Sequence, residues 1–188
     1  EARKTASGML IDIPVPDTAL MVDIGGGSTE LIFAVNAKPV LIRSIDLGVV
    51  HLSARYMKKD PPSARDLHNM DTEITNKLLP IAKPFMKKIN SNTMFIGTAG
   101  TVTALGAMVK RLKKYQDRKI HGSIIAKSKI DRIYSDISLI NSIDRAKLLP
   151  FEPSRLDIIV PGTLILQKLM DLFAFNDITV SACGLRHG

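Results

Sequence analysis

The sequence predicts an α/β domain, a mixed sheet that begins with a three-strand antiparallel meander and carries helices packed on it. Three observations predict this. Apolar runs at 19–24, 30–35 and 39–45 are separated only by short turn-forming stretches. From 64 to 89, Leu67, Met70, Ile74, Leu78, Ile81, Phe85 and Ile89 recur at helical spacing. Two further apolar runs, 93–96 and 178–181, each border helix-patterned segments, the order expected of a layered α/β domain.

In chain order, residues 1–8 read as the end of a helix stopped by Gly8, and Pro14 and Pro16 mark an extended connection. The first strand, 19–24, passes through Gly25-Gly26-Gly27-Ser28 into the second, 30–35. Asn36-Ala37-Lys38 turns the chain into the third, 39–45. A helix follows at 49–57. Pro61-Pro62-Ser63 then opens the long helix 64–89, which Pro80 and Pro84 are expected to kink or end early. Strand 93–96 leads into Gly97-Thr98-Ala99-Gly100-Thr101 and a helix over 102–112. Residues 113–127 read as basic and irregular. Helices are expected at 130–140 and, despite Pro161-Gly162, at 156–173, with a last strand at 178–181. No internal repeat or low-complexity tract is visible.

The 188 residues suit a single domain with one sizeable core, at 45% hydrophobic and 23% charged. No apolar run reaches the roughly 18–20 residues of a membrane span. Residue 1 is Glu, so the chain reads as a portion of something longer. Cys183 is the lone cysteine, which removes internal disulfides and cysteine-based zinc sites and fits a reducing cytoplasm. The net charge of +8 points to an anionic partner or to an ordinary basic surface. With 5% aromatic residues and no Trp, the chain is poorly supplied for stacking nucleic-acid bases. The densest basic run, Lys110-Arg111-Leu112-Lys113-Lys114 with Arg118-Lys119, reads as a polyanion guide or as a solvated helix end. The four histidines show no metal-ligand spacing.

Two glycine loops carry the chemistry. In Asp23-Ile24-Gly25-Gly26-Gly27-Ser28-Thr29-Glu30 the glycines exceed the one or two positive-φ positions a hairpin requires. Glycines let backbone N–H groups close on an anion, and Ser28 and Thr29 add hydroxyls. Asp23 and Glu30 would repel that anion unless a cation such as Mg²⁺ lay between them. A plain glycine hairpin with two solvated acids fits the same residues. In the second loop, Gly97, Thr98, Gly100 and Thr101 stand where a strand opens into a helix, an anion site by dipole and free amides. A glycine turn with a Thr N-cap fits equally. Neither loop has the Lys-Ser/Thr ending of a Walker A motif.

At these residues the chain resembles the exopolyphosphatase / guanosine pentaphosphate phosphatase family. MVDIGGGSTELIF, GTAGTVTAL, RLDIIVPGTLIL and ITVSACGLRHG appear in the family's order. The resemblance implies the actin-like, ribonuclease H-like fold. It implies that residues 1–188 form the second of two domains facing a cleft, with the first absent. It further implies a phosphohydrolase that cleaves terminal phosphate from polyphosphate or guanosine pentaphosphate with Mg²⁺. Glu1 aligns with the glutamate that activates water, Asp23 and Glu30 with acids near the metal, and Arg155 with an arginine that reaches substrate phosphate. Gly25, Gly26, Gly27, Ser28 and Thr29 would form one phosphate cradle and Gly97, Thr98, Gly100 and Thr101 the other. Ala182 and His187 stand where many members carry Asp and Glu.

A phosphate or nucleotide sensor without turnover, and half of an ATPase or kinase of the same superfamily, are the competing readings. The face that would meet the first domain also suits self-association into a homodimer. The isolated chain is expected to bind phosphate weakly and turn over little, because Glu1 is terminal and the partner domain is missing.

Overall fold

A computed structural model describes residues 8–10, 12–14 and 17–183. Six strands form one sheet: β1 (Thr18–Ile24), β2 (Thr29–Val35), β3 (Lys38–Ile45), β4 (Met94–Thr98), β5 (Ile124–Ala126) and β6 (Asp177–Val180). Their order is β3-β2-β1-β4-β6-β5. β1, β2 and β3 pair antiparallel, which is the meander read from the sequence. β4 then lies parallel to β1 and β6 parallel to β4, while β5 closes the edge antiparallel to β6. The helices lying wholly within the described residues are α1 (Val49–Tyr56), α2 (Ala64–Met86), α3 (Ala99–Val109), α4 (Asp117–Ile120), α5 (Lys127–Ser138), α6 (Ser142–Leu148) and α7 (Ile159–Phe173). A single 3₁₀ turn, Pro153–Arg155, links α6 to α7. This is the actin-like α/β architecture that the resemblance implies.

Alternation along the strands divides the apolar residues between two faces. Leu20, Val22 and Ile24 of β1 and Leu31 and Phe33 of β2 face the main core. They pack there with α2 (Met70, Ile74, Leu78, Phe85), the buried face of α3, and α7. The alternate residues Ala19, Met21, Ile32, Ala34 and Ile96 form a thinner cluster with Met9 and Ile13. α3 is buried nearly all round, from Thr101 to Ala107, as a helix between sheet and outer helices must be.

Several elements depart from the sequence reading. α2 runs unbroken through Pro80 and Pro84 and ends at Met86 rather than 89. Both prolines lie on the exposed side. There water satisfies the carbonyls that lose an N–H donor, and the helix can curve away from the rings. Residues 113–127, read as irregular, hold α4 and β5. β5 has only three residues, too few for periodicity to register. α6 was not expected. Its Asn141 N-cap accepts from the Asp144 amide at 2.9 Å. The helix expected over 156–173 begins instead at Ile159, after a turn at 156–158, with Pro161 in its first turn, where its missing N–H is lost to no partner.

Gly162 of α7 lets that helix lie directly on α3. A Cβ there would sit 2.3 Å from Thr101 Oγ1 and 2.7 Å from its Cγ2. Ala normally gains up to about 1 kcal/mol over Gly inside a helix, but the overlap outweighs this. Gly162→Ala is expected to destabilise the chain by about 1–3 kcal/mol, read as a lowered melting temperature.

Candidate functional site

The sheet topology sets four chain segments at one edge. β1, β3, β4 and β6 all run toward it, since β1 is parallel to β4, β4 to β6, and β3 is two antiparallel steps from β1. The first glycine loop, residues 25–28, leaves β1 there, and the second leaves β4. Asp23 pairs with Thr98 across β1–β4, so the loops start from strands about 4.8 Å apart. In open α/β sheets such carboxyl ends of parallel strands are where ligands bind.

Register also lines up side chains. Ser44, Glu30, Asp23 and Thr98 form one row across β3, β2, β1 and β4, on the thinner face. Ser28 and Ser44 hydroxyls both donate to Glu30 Oε1 at 2.7 Å. Asp23 and Glu30 stand directly opposite each other, which sets two carboxylates side by side. Among the described residues no group of three His, Cys, Asp or Glu could enclose a metal. Two carboxylates plus ligand oxygens are nonetheless the usual donor set for Mg²⁺ beside phosphate, and this pair fits it.

The first loop is braced from behind. Gly25 N donates to Ser28 O at 2.8 Å, closing the turn. Val49 N and Val50 N, the first amides of α1, donate to Gly25 O (3.1 Å) and Gly26 O (3.0 Å). In a planar trans peptide the carbonyl and the following N–H point opposite ways. The amides of Gly26 and Gly27 are therefore turned away from α1, toward the open side.

The sequence reading expected one or two of these glycines to supply the positive φ of a hairpin turn, and the structure corrects it. None of Gly25, Gly26 and Gly27 lies in the left-handed region. A Cβ at Gly27 would meet nothing within 4 Å, so the fold itself has room for a side chain there. What its absence leaves clear is access to the backbone.

Gly48, which the sequence reading passed over, is more tightly constrained. A Cβ there would lie 2.2 Å from Gly26 O and 2.3 Å from Gly27 C. Thr29, fully buried, donates its hydroxyl to Leu47 O at 2.6 Å and holds the 46–48 segment against the loop.

The second loop turns from β4 into α3 at Ala99, a non-glycine residue at φ 66°. That conformation costs about 1–2 kcal/mol and marks a backbone held by its surroundings. Thr98 is the N-cap but makes no capping bond. Its buried hydroxyl donates to Ser181 O (3.0 Å) and Cys183 O (3.3 Å), tying β4 to the chain after β6. Thr101 is buried against Gly162. Both hydroxyls thus point into the protein, leaving backbone N–H groups as the loop's donors at the helix start.

Arg155 comes to this loop. A Cβ on Gly100 would fall 1.9 Å from its Cζ and Nη1, so the guanidinium rests on the Gly100 backbone in space only glycine leaves. Glu152 Oε2 lies 3.9 Å from Arg155 Nε. Tyr115 stands close by, beside Thr103, Asp117 and Arg155. Burial pushes its hydroxyl above the usual tyrosine range, and Asp117 adds to the rise. Neither Tyr115 nor Asp117 was legible as a neighbour of the site, because the irregular segment that carries them has no fixed spacing to the loops.

A model of the Ppx/GppA phosphatase family matches residues 1–188. The chain belongs to the Ppx/GppA phosphatase family. It is 27% identical over 150 residues to exopolyphosphatase 2 of Mycobacterium tuberculosis, covering 80% of this chain and 46% of that protein. It is 29% identical over 171 residues to a bifunctional 3-dehydroquinate synthase/phosphatase of Fusobacterium nucleatum, covering 88% of this chain and 24% of the other. The type II crystal structure of the Aquifex aeolicus Ppx/GppA phosphatase superposes with a TM-score of 0.88 at 26% identity, over 99% of this chain and 60% of that one. The chain thus spans about half the length of several curated family members.

Within the family frame, Glu1 and residues 184–188, including His187, lie outside the described residues. Ala182 is described, and its amide donates to His121 Nδ1 at 3.2 Å. Of the basic run, Arg111 and Lys113 line a groove of about 620 Å³ with Lys129, Arg132 and Lys147. It opens at the far end of α3, about 16 Å of helix from the glycine loops. No described helix is long and apolar enough to cross a membrane.

Gly48→Ala is expected to push the first loop out of place. It should lower stability by about 1–3 kcal/mol and abolish detectable phosphate binding by calorimetry. Gly27→Ala, with free space around its Cβ, should leave the stability within about 1 kcal/mol of wild type while still weakening phosphate binding.

Proposed function

We propose that this chain is the phosphate-gripping half of a two-domain, Mg²⁺-dependent phosphohydrolase that removes the terminal phosphate from inorganic polyphosphate or guanosine pentaphosphate. The observation that carries the reading is the parallel β1–β4 pair. It sets two glycine loops side by side at one sheet edge, next to two facing carboxylates. Relatives named exopolyphosphatases supply the substrate class.

In the proposed reaction a water oxygen bonds to the terminal phosphorus as the bond to the bridging oxygen breaks. Orthophosphate and a chain shorter by one phosphate leave. Catalysis of this kind is mostly positioning and charge stabilisation. The Gly26 and Gly27 amides and the amides opening α3 hold the oxygens of the transferring group. Arg155, resting on Gly100, adds a planar cationic donor to the same oxygens. Asp23 and Glu30 would hold Mg²⁺, which when bound supplies neutralising charge to the phosphate oxygens. Glu1 is assigned to orient the water and take its proton. The other half of the cleft, with the second set of phosphate contacts, belongs to the domain outside this chain.

The test is phosphate release by the two-domain protein containing this chain, with Mg²⁺, offering long-chain polyphosphate and guanosine pentaphosphate in parallel. Release from either is expected, and the ratio of rates names the substrate. Arg155→Ala and Glu1→Gln should each lower kcat by about 10²–10³. Near-wild-type turnover of Glu1→Gln removes Glu1 from the mechanism. Tight binding without release identifies a sensor instead. The isolated 188-residue chain should release little phosphate, and robust release from it would refute the need for a second domain.

A further inference from the structure

Among the described residues one cation is buried almost completely, away from the glycine loops. Arg145 of α6 is 1% exposed. Its guanidinium bridges two distant segments. Nη2 pairs with Asp60 Oδ1, and Nη1 donates to the carbonyl of Leu156 at 3.1 Å. Asp60 is itself oriented by Ser142, whose amide donates to both carboxylate oxygens (2.9 and 2.8 Å) and whose hydroxyl donates at 2.6 Å. These bonds, with the Arg145 charge behind them, hold the Asp60 carboxyl below the usual range. Arg145 Nε is buried with no hydrogen-bond partner among the described residues.

This is an expensive way to fill space. Desolvating a guanidinium costs several kcal/mol, and apolar replacement of a buried ion pair is often neutral or stabilising. The unpartnered Nε adds to the cost. What an apolar side chain could not do is grip a carbonyl from a distance. Leu156 directly follows Arg155 and ends the 3₁₀ turn Pro153–Arg155. Leu149, Phe151, Leu156 and Ile158 anchor the 149–158 connection on the core, but its backbone hydrogen bonds are local, such as Arg155 N to Glu152 O (3.1 Å) and Ile158 N to Arg155 O (3.1 Å). The Arg155 guanidinium, in turn, has to rest on Gly100 with almost no clearance.

We propose that Arg145, locked by Asp60 and Ser142, is a positioning residue that fixes the 153–156 turn and thereby sets Arg155 over the second glycine loop. Its functional meaning rests on the reading of Arg155 as a phosphate contact; the placement itself does not. The Arg fork is essential to the device, because Lys offers one point charge and cannot span Asp60 and the Leu156 carbonyl together.

The experiment uses the isotope-labelled 188-residue chain, with NMR following the Gly100 amide, the Arg155 side-chain Nε–H, and the Gly25, Gly26 and Gly27 amides as an internal control. Arg145→Lys should shift or broaden the Gly100 and Arg155 signals and leave the control amides in place. It should also weaken tripolyphosphate binding about tenfold, the worth of one charged hydrogen bond. In an Arg155→Ala background it should add no further weakening, because both changes remove the same contact. Unmoved Gly100 and Arg155 signals in a folded Arg145→Lys chain overturn the proposal, as does equal weakening in both backgrounds, which marks a merely structural arginine. If Arg145→Lys does not fold, Ser142→Ala loosens Asp60 at a half-buried position. The same signals must then move, and their constancy overturns the proposal. These readouts need no turnover, so failure here is separate from failure of the phosphohydrolase reading, which appears as an inactive unsubstituted two-domain protein.

Discussion

Everything at the candidate site depends on one pairing, the parallel register of β1 with β4. The meander alone would leave the first glycine loop as a hairpin at a sheet end. By laying β4 alongside β1 with Thr98 opposite Asp23, the fold brings a second loop, 70-odd residues later in the chain, to the same edge about 4.8 Å away. A parallel pair cannot be closed by a tight turn and needs a long crossover. Here that crossover includes α1 and α2, and the first of these is put to use. Its opening amides brace the first loop from behind, so the same connection that allows the parallel pair also orients the loop.

Close backbone approach is the second theme, and it explains glycines better than backbone freedom does. Gly48, Gly100 and Gly162 each occupy a point where a Cβ would overlap another group within 2.4 Å: loop backbone, a guanidinium and a threonine side chain respectively. None of them is there to reach positive φ. The one strained position in the second loop is instead an alanine, Ala99. A backbone packed this closely has little room to relax, which suits groups that must present donors in a fixed array.

The two faces of the sheet divide the labour. One carries the large core with α2, α3 and α7 and provides most of the buried apolar area. The other carries a small cluster that gives way, toward the loop edge, to the polar row Ser44, Glu30, Asp23 and Thr98. Strand alternation makes this possible. A residue on the thinner face can be charged without placing a carboxylate in the main core.

The sequence by itself determined the meander, the long amphipathic helix, both glycine loops and the family, because these are local signals: period, turn chemistry and contiguous motifs. It also singled out Arg155 within its motif. It expected Pro80 and Pro84 to kink or end α2, which in fact runs through both on its solvent-facing side and stops at Met86, short of 89, and it missed β5 and α6, which are too short to show a period. Only the tertiary structure decided that Thr29, Thr98 and Thr101 turn their side chains inward, that Gly48 abuts the first loop, that Tyr115 and Asp117 stand near Arg155, and that Arg145 reaches both Asp60 and Leu156. Each of these is a contact between segments far apart in the chain. Such contacts follow from strand order and helix packing, whose registers no single stretch of residues encodes.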